Sequence, residues 1–275
     1  MSKDVQVQVD HFGVFTKEPN QENVFFQLGF RAAGGSETLT PGKNGTLPSC
    51  LHMVMDNGYI EYMLSWPQDF GPCKNGQKGL AYFEIEMADG QRTRNSLEAK
   101  GIPCTDVITA SRYADHGMKK GEAIFECTNL VDEILPNIML GGVCHKTKEL
   151  FYDNERFQHK NGVSRIEEID LFFEDRRRFD EMKEKTELAM AEFGEFPPQE
   201  CVRDLRLMQI GEAQSAYGVT IPAGATNTAA IVLKTDDLKA ATDIVKASGY
   251  TYHLADSQCV VDLTRELGLI LVFRA

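Results

Sequence analysis

The sequence lacks a Cys-x-x-Cys spacing anywhere, and its seven cysteines (Cys50, Cys73, Cys104, Cys127, Cys144, Cys201 and Cys259) are scattered and odd in number. That excludes the usual paired structural zinc motif and a closed disulfide framework, and predicts free thiols in a reducing cytoplasm. Basic charge is short: 29 Lys and Arg stand against 41 Asp and Glu, a formal net charge of −12. Nucleic acid and anionic membrane surfaces would repel such a chain. Arg176-Arg177-Arg178, the one basic run, is brief and set among acids. No apolar stretch is long enough to span a bilayer, and the N-terminus alternates like a strand without the apolar centre of a signal peptide. These absences predict a cytoplasmic protein whose partner is neither nucleic acid nor a membrane.

What is present is a core and a repeated order. With 275 residues and 42% hydrophobic composition, the chain can bury a sizeable interior. Residues 11–16 read as a strand, 23–28 as a helix closed by Gly29, and 51–64 as a hairpin. A second pass has a strand at 80–87, a helix over 89–100 closed by Gly101, and strands near 123–127 and 138–145, with 113–120 as a loop carrying His116. A third starts at the strand 166–173, continues in a helix ending at Gly194, and runs on through 202–210. A fourth has a strand at 229–235, a helix closed by Gly249, and strands to 273. Each helix ends on glycine, the residue that best adopts the left-handed C′ conformation. A single β-α-β-β-β unit cannot cover its own sheet, so the pattern predicts an α+β fold of four βαβββ modules, paired into curved mixed sheets with helices outside. The modules divide as 1–158, an N-terminal pair bearing the site, and 159–275, a structural C-terminal pair.

The hairpin concentrates the chemistry. Asn57-Gly58 suits a type I′ turn, and pairing outward from it sets Val54 opposite Glu61 and His52 opposite Met63. One face then carries Leu51, Met53, Met55, Ile60, Tyr62 and Leu64, a core pattern. The other carries His52, Val54, Glu61 and Met63. His52 and Glu61 become diagonal neighbours, roughly 7–8 Å apart. In the strand 80–87, Tyr82, Glu84 and Glu86 alternate against apolar residues and share the polar face, which makes Glu84 a candidate general base. His52 reads as a further acid or alternative ligand. Cys144 and His145 are adjacent on a strand and point to opposite faces, which disfavours a Cys–His nucleophile.

The order of these pieces, with Asp10-His11-Phe-Gly-Val at the start, Leu28-Gly29-Phe30 after the helix, Asn57-Gly58-Tyr59-Ile60-Glu61, Cys144-His145 and His159-Lys-Asn161-Gly162, resembles the vicinal oxygen chelate superfamily over essentially the whole chain. The resemblance implies one divalent metal (Fe, Mn, Ni or Zn) held by residues from the first and last strands of two paired modules. By position it assigns His11, Glu61 and His145. The fourth position falls on Tyr82, so three alternatives stand: a three-ligand site, entry of Glu84, or a site that has lost its metal. Two imidazoles and one carboxylate leave a single positive charge on a divalent ion, suited to polarising a carbonyl.

Phe15, Met63, Trp66 and Tyr82 would line the substrate. The resemblance implies a glyoxalase-type lyase, isomerase or epimerase acting by proton abstraction next to a carbonyl. Its alternatives are a non-haem iron extradiol-type dioxygenase or a metal-free small-molecule binding protein. Paired modules can also be completed between chains, which admits a homodimer.

Overall fold

The computed structural model describes residues 9–18, 20–34, 50–64, 78–114, 119–131, 134–135, 137–152, 158–174, 176–193, 204–223, 228–255 and 257–275. Trp66, His116, Cys73, Cys201 and Gly194 lie outside these residues. Two mixed sheets carry the fold. The first holds β1 (Val9–Phe15), β2 (Ala33–Gly34), β3 (Cys50–Met55), β4 (Gly58–Met63), β5 (Gly79–Glu86), β6 (Ile108–Ala114), β7 (Gly121–Asn129) and β8 (Met139–His145), in the order β2-β3-β4-β1-β5-β8-β7-β6. Helix α1 (Asn23–Gln27) follows β1 and α2 (Gly90–Ala99) follows β5, so two βαβββ modules join along the antiparallel β1–β5 seam. A short helix, α3 (Lys148–Phe151), ends this half.

The second sheet, in the order β10-β9-β11-β14-β13-β12, holds β9 (Val163–Phe173), β10 (Asp204–Gln209), β11 (Ala229–Thr235), β12 (Thr251–Ala255), β13 (Gln258–Leu263) and β14 (Leu269–Arg274). Helices α4 (Arg176–Phe193), α5 (Ile210–Tyr217) and α6 (Leu238–Ser248) connect it. The fourth module is complete. The third is reduced among the described residues: β10 pairs parallel with β9, as β4 does with β1, and α5 follows. The carboxylates of β9 are engaged there by cations. Arg206 Nε and Nη2 each lie 2.7 Å from Asp170, and Arg274 Nη1 is 2.9 Å from Glu168.

Local signals explain the ends. Asp89 caps α2 by accepting from the Arg92 amide at 2.8 Å, and Asp237 caps α6 through the Ala240 amide at 2.8 Å. Gly29, Gly101 and Gly249 have φ of 85°, 71° and 82°, where a side chain would be strained. Strand β6 corrects the expected loop at 113–120: Tyr113 belongs to an edge strand, whose half-exposed residues gave only a weak apolar alternation.

The hairpin register also differs from the expected one. His52 stands directly opposite Glu61, and Met55 opposite Gly58, so the turn is Asp56-Asn57. Asn57 is buried; its amide donates to the Ile166 carbonyl at 2.9 Å and accepts from the Ile166 amide at 3.0 Å. Docking on β9 overrides the local preference for a turn centred on Asn57-Gly58. One apolar core runs between the sheets, joining Phe12, Phe83, Met53 and Ile60 to Ile166, Leu171, Phe193 and Leu271. Among the described residues no helix is long and apolar enough to cross a membrane.

Candidate metal and substrate site

The opposite face of the first sheet is polar and buried. A bulge in β1 between Val9 and His11 turns the consecutive Asp10 and His11 towards it. Asp10 accepts from His11 Nδ1 at 2.8 Å, from His145 Nε2 at 3.0 Å and from Tyr152 Oη at 2.8 Å. Burial alone would raise its pKa, yet His145 and the hydrogen bonds from both imidazoles hold it well below the usual carboxylate range. His11 Nδ1 donates to Asp10, and its Nε2 lies 3.5 Å from Glu61 Oε2. The ring is held flat against Tyr59, with centroids 4.3 Å apart.

Glu61 is the hub. Its Oε1 is 3.4 Å from His52 Nε2 and 3.7 Å from Arg112 Nη1, and its Oε2 accepts from Tyr82 Oη. Burial opposes its charge, but His52, Arg112 and His11 outweigh burial and keep it ionised well below the ordinary range. Burial pulls His52 down to about 4, so the ring is neutral at pH 7. Cys50, two residues before His52 on the same face of β3, places Sγ 3.4 Å from His52 Nε2 and 3.3 Å from Arg112 Nη1. Burial and the neighbouring Glu61 push that thiol up. Arg112 arrives from β6, the far edge of the sheet, so the curled sheet brings its two ends together around these groups.

Tyr82 reaches Glu61 because β1 has a glycine beneath it. A Cβ on Gly13 would fall 1.9 Å from Tyr82 Cε1. Glu84 is buried, and its Oε2 has no hydrogen-bond partner among the described residues. Burial first, then the charges of Asp10 and Glu61, raise its pKa well above the ordinary value. Gly141 on β8 makes room for it, since a Cβ there would lie 2.9 Å and 3.0 Å from the Glu84 oxygens.

The assigned residues are therefore gathered on one face, in two adjoining groups: Asp10, His11 and His145, and Cys50, His52 and Glu61. His145 lies on Asp10 and not on Glu61. The register explains this. Around the Phe12–Phe83 pair, Tyr82 takes in β5 the place His11 takes in β1, and Gly141, paired with Glu84, takes the place of Glu61, paired with Gly13. His145 is four residues beyond that position.

Phe15, Met63 and Tyr82 pack with Cys50 and Ala81 as one wall, while Trp66 falls outside the described residues. Sequence reasoning missed Asp10, Arg112, Tyr152 and the site role of Cys50. Only Cys50 had a usable signal, its i, i+2 spacing from His52.

The donor set suits a divalent ion. His11 Nε2 and Glu61 Oε2, 3.5 Å apart, are both atoms that can bind a cation, and the Asp10–His11 bond is the support a metal-binding imidazole commonly has. No protein-family model matches the chain. No curated protein sequence matches it either. Solved structures do. A hypothetical protein from Staphylococcus aureus superposes with a TM-score of 0.56 at 11% identity, covering 97% of this chain and 98% of that one. A catechol 2,3-dioxygenase gives 0.57 at 11%, covering 98% and 93%. A homoprotocatechuate 2,3-dioxygenase from Arthrobacter globiformis gives 0.53 at 8%, covering 98% and 80%. At such identities the likeness is one of fold.

Proposed function

The chain has the vicinal oxygen chelate fold, and from that premise we propose that its first sheet is the site of a divalent-metal enzyme moving a proton next to a carbonyl, a lyase, isomerase or epimerase of glyoxalase type. The observation that carries the reading is the convergence of His11 Nε2 on Glu61 with the other ring nitrogen locked on Asp10. His11, Glu61 and His52 would hold the ion, which when bound polarises a substrate carbonyl oxygen. His145 and Tyr152 position Asp10, and through it His11. Tyr82 fixes the Glu61 carboxylate, and Phe15 and Met63 supply apolar contact. Glu84 is the proton carrier: it lies opposite His11 across the β1–β5 seam, its Oε2 has no hydrogen-bond partner among the described residues, and burial with the charges of Asp10 and Glu61 raises its pKa well above the ordinary value.

The test is deuterium exchange followed by NMR. Metal-loaded protein is incubated in D2O with hemithioacetals of 2-oxoaldehydes, hydroxyketones and branched acyl thioesters. Exchange at the carbon beside the carbonyl of one class is expected, slowed about 10²–10⁴-fold by Glu84→Gln. Absence of exchange in every class overturns the reading. A second reading, a metal-free binding protein, is favoured by one observation: Arg112 already stands 3.7 Å from Glu61 and offsets its charge. Unchanged ligand affinity after chelation, without turnover, would select it.

A further inference from the structure

The donors around Glu61 all come from one module: His11 from β1, Cys50 and His52 from β3, and Glu61 from β4. The equivalent places in the second module hold Tyr82 and Gly141. We propose that Cys50 is itself a metal ligand, so that the ion is held by Cys50, His52 and Glu61, with His11 approaching from the other oxygen of Glu61, a thiolate-containing set supplied by the first module alone. This rests on the reading that the sheet binds a divalent ion.

The spacing supports it. A tetrahedral ion with bonds of about 2.0–2.3 Å holds its ligand atoms about 3.3–3.8 Å apart. Here Cys50 Sγ to His52 Nε2 and His52 Nε2 to Glu61 Oε1 are each 3.4 Å, while His11 Nε2 stands beside that group, 3.5 Å from the other carboxylate oxygen, Glu61 Oε2. The donor atoms of Cys50, His52 and Glu61 all lie within 4.8 Å of one another. Strand geometry enforces this, since residues two apart share a face and His52 is paired directly with Glu61.

Arg112 Nη1 contacts the same three atoms, 3.3 Å from Cys50 Sγ, 3.3 Å from His52 Nε2 and 3.7 Å from Glu61 Oε1, and a bound ion would take its place on them while the guanidinium stays beside the site. With Cys50 as thiolate, its negative charge and those of Asp10 and Glu61 are balanced by a divalent ion and Arg112, which suits a buried site. A thiolate favours zinc, cobalt or ferrous iron over magnesium, calcium or manganese.

The experiment is cobalt(II) titration of the metal-free full chain, read by near-ultraviolet absorption. A saturable thiolate-to-cobalt charge-transfer band is expected in the wild type and in Cys259→Ser, and its loss in Cys50→Ser with affinity weakened tenfold or more. Cobalt binding without the band, or a band that survives in Cys50→Ser, overturns the ligand role of Cys50 and leaves the metal site standing. No cobalt binding at all overturns both. Should Cys50→Ser fail to fold, X-ray absorption of the wild-type zinc form decides. A sulfur neighbour at about 2.3 Å is expected, and nitrogen and oxygen neighbours alone contradict it.

Discussion

At the scale of single residues, the site depends on side chains that are absent as much as on those present. Gly13→Ala drives a methyl group into the Tyr82 ring, so it should cost about 1–3 kcal/mol in denaturant unfolding and weaken metal affinity by displacing Tyr82 from Glu61. Unaltered stability and affinity would show that Tyr82 is not held this way.

The pH dependence follows from His52 and His159, each lowered from 6.5 to about 4, mainly by burial. Both bind protons more readily when unfolded. Their contribution is therefore complete above pH 6.5 and lost as the pH falls towards 4, by about 3 kcal/mol per ring. His52→Asn should roughly halve that slope, measured as unfolding free energy between pH 7 and 4.5. Glu84 has the opposite sense. Its raised pKa makes the fold retain a proton that the unfolded carboxyl releases, so stability falls as pH rises above about 4.3, and Glu84→Gln should be more stable than wild type at pH 8.

His52 and Glu61, and separately Tyr82 and Glu84, were legible because strand alternation puts each pair on one face, and His11 through the family resemblance. Arg112 was not, because it comes from an edge strand with weak patterning and crosses a curled sheet. Asp10 was hidden by the bulge that turns two consecutive residues the same way.

At the scale of elements, the β3–β4 hairpin shows how tertiary contact corrects a local rule without spoiling its consequence. The true register is shifted by two residues from the one that Asn57-Gly58 suggests. A shift of two preserves which side chains share a face, whereas a shift of one would have inverted it. The polar face was therefore read correctly from the wrong turn, and His52 and Glu61 came out closer than expected. Asn57 enforces the register through its two bonds to the Ile166 backbone. Asn57→Ala should cost about 2–4 kcal/mol, with faster amide hydrogen exchange at Ile166. Exchange unchanged at that amide would mean that the hairpin is held by its apolar face alone. That the third module shows only β9, α4, β10 and α5 among the described residues was not legible, because residues 202–210 continue an apolar pattern without marking the switch from β10 to α5.

At the scale of the molecule, repeated glycine-closed helices announced the four-module order, while the sharing of one core between the sheets could not be read from periodicity. Because that core joins residues of both sheets, the whole chain should unfold in a single calorimetric transition, with far- and near-ultraviolet circular dichroism coincident. Two resolved transitions would mean that the sheets are independent.

The division of labour is also a whole-molecule matter. The second sheet pairs its carboxylates with Arg206 and Arg274, and the first gathers histidines and carboxylates on a buried face. The most direct measurement is metal content per chain by elemental analysis after reconstitution, for wild type, His11→Ala and Glu61→Gln. A single transition-metal ion in the wild type and its loss from both variants is the expected result. A wild type that takes up none, or variants that retain it, would contradict a metal centre on His11 and Glu61.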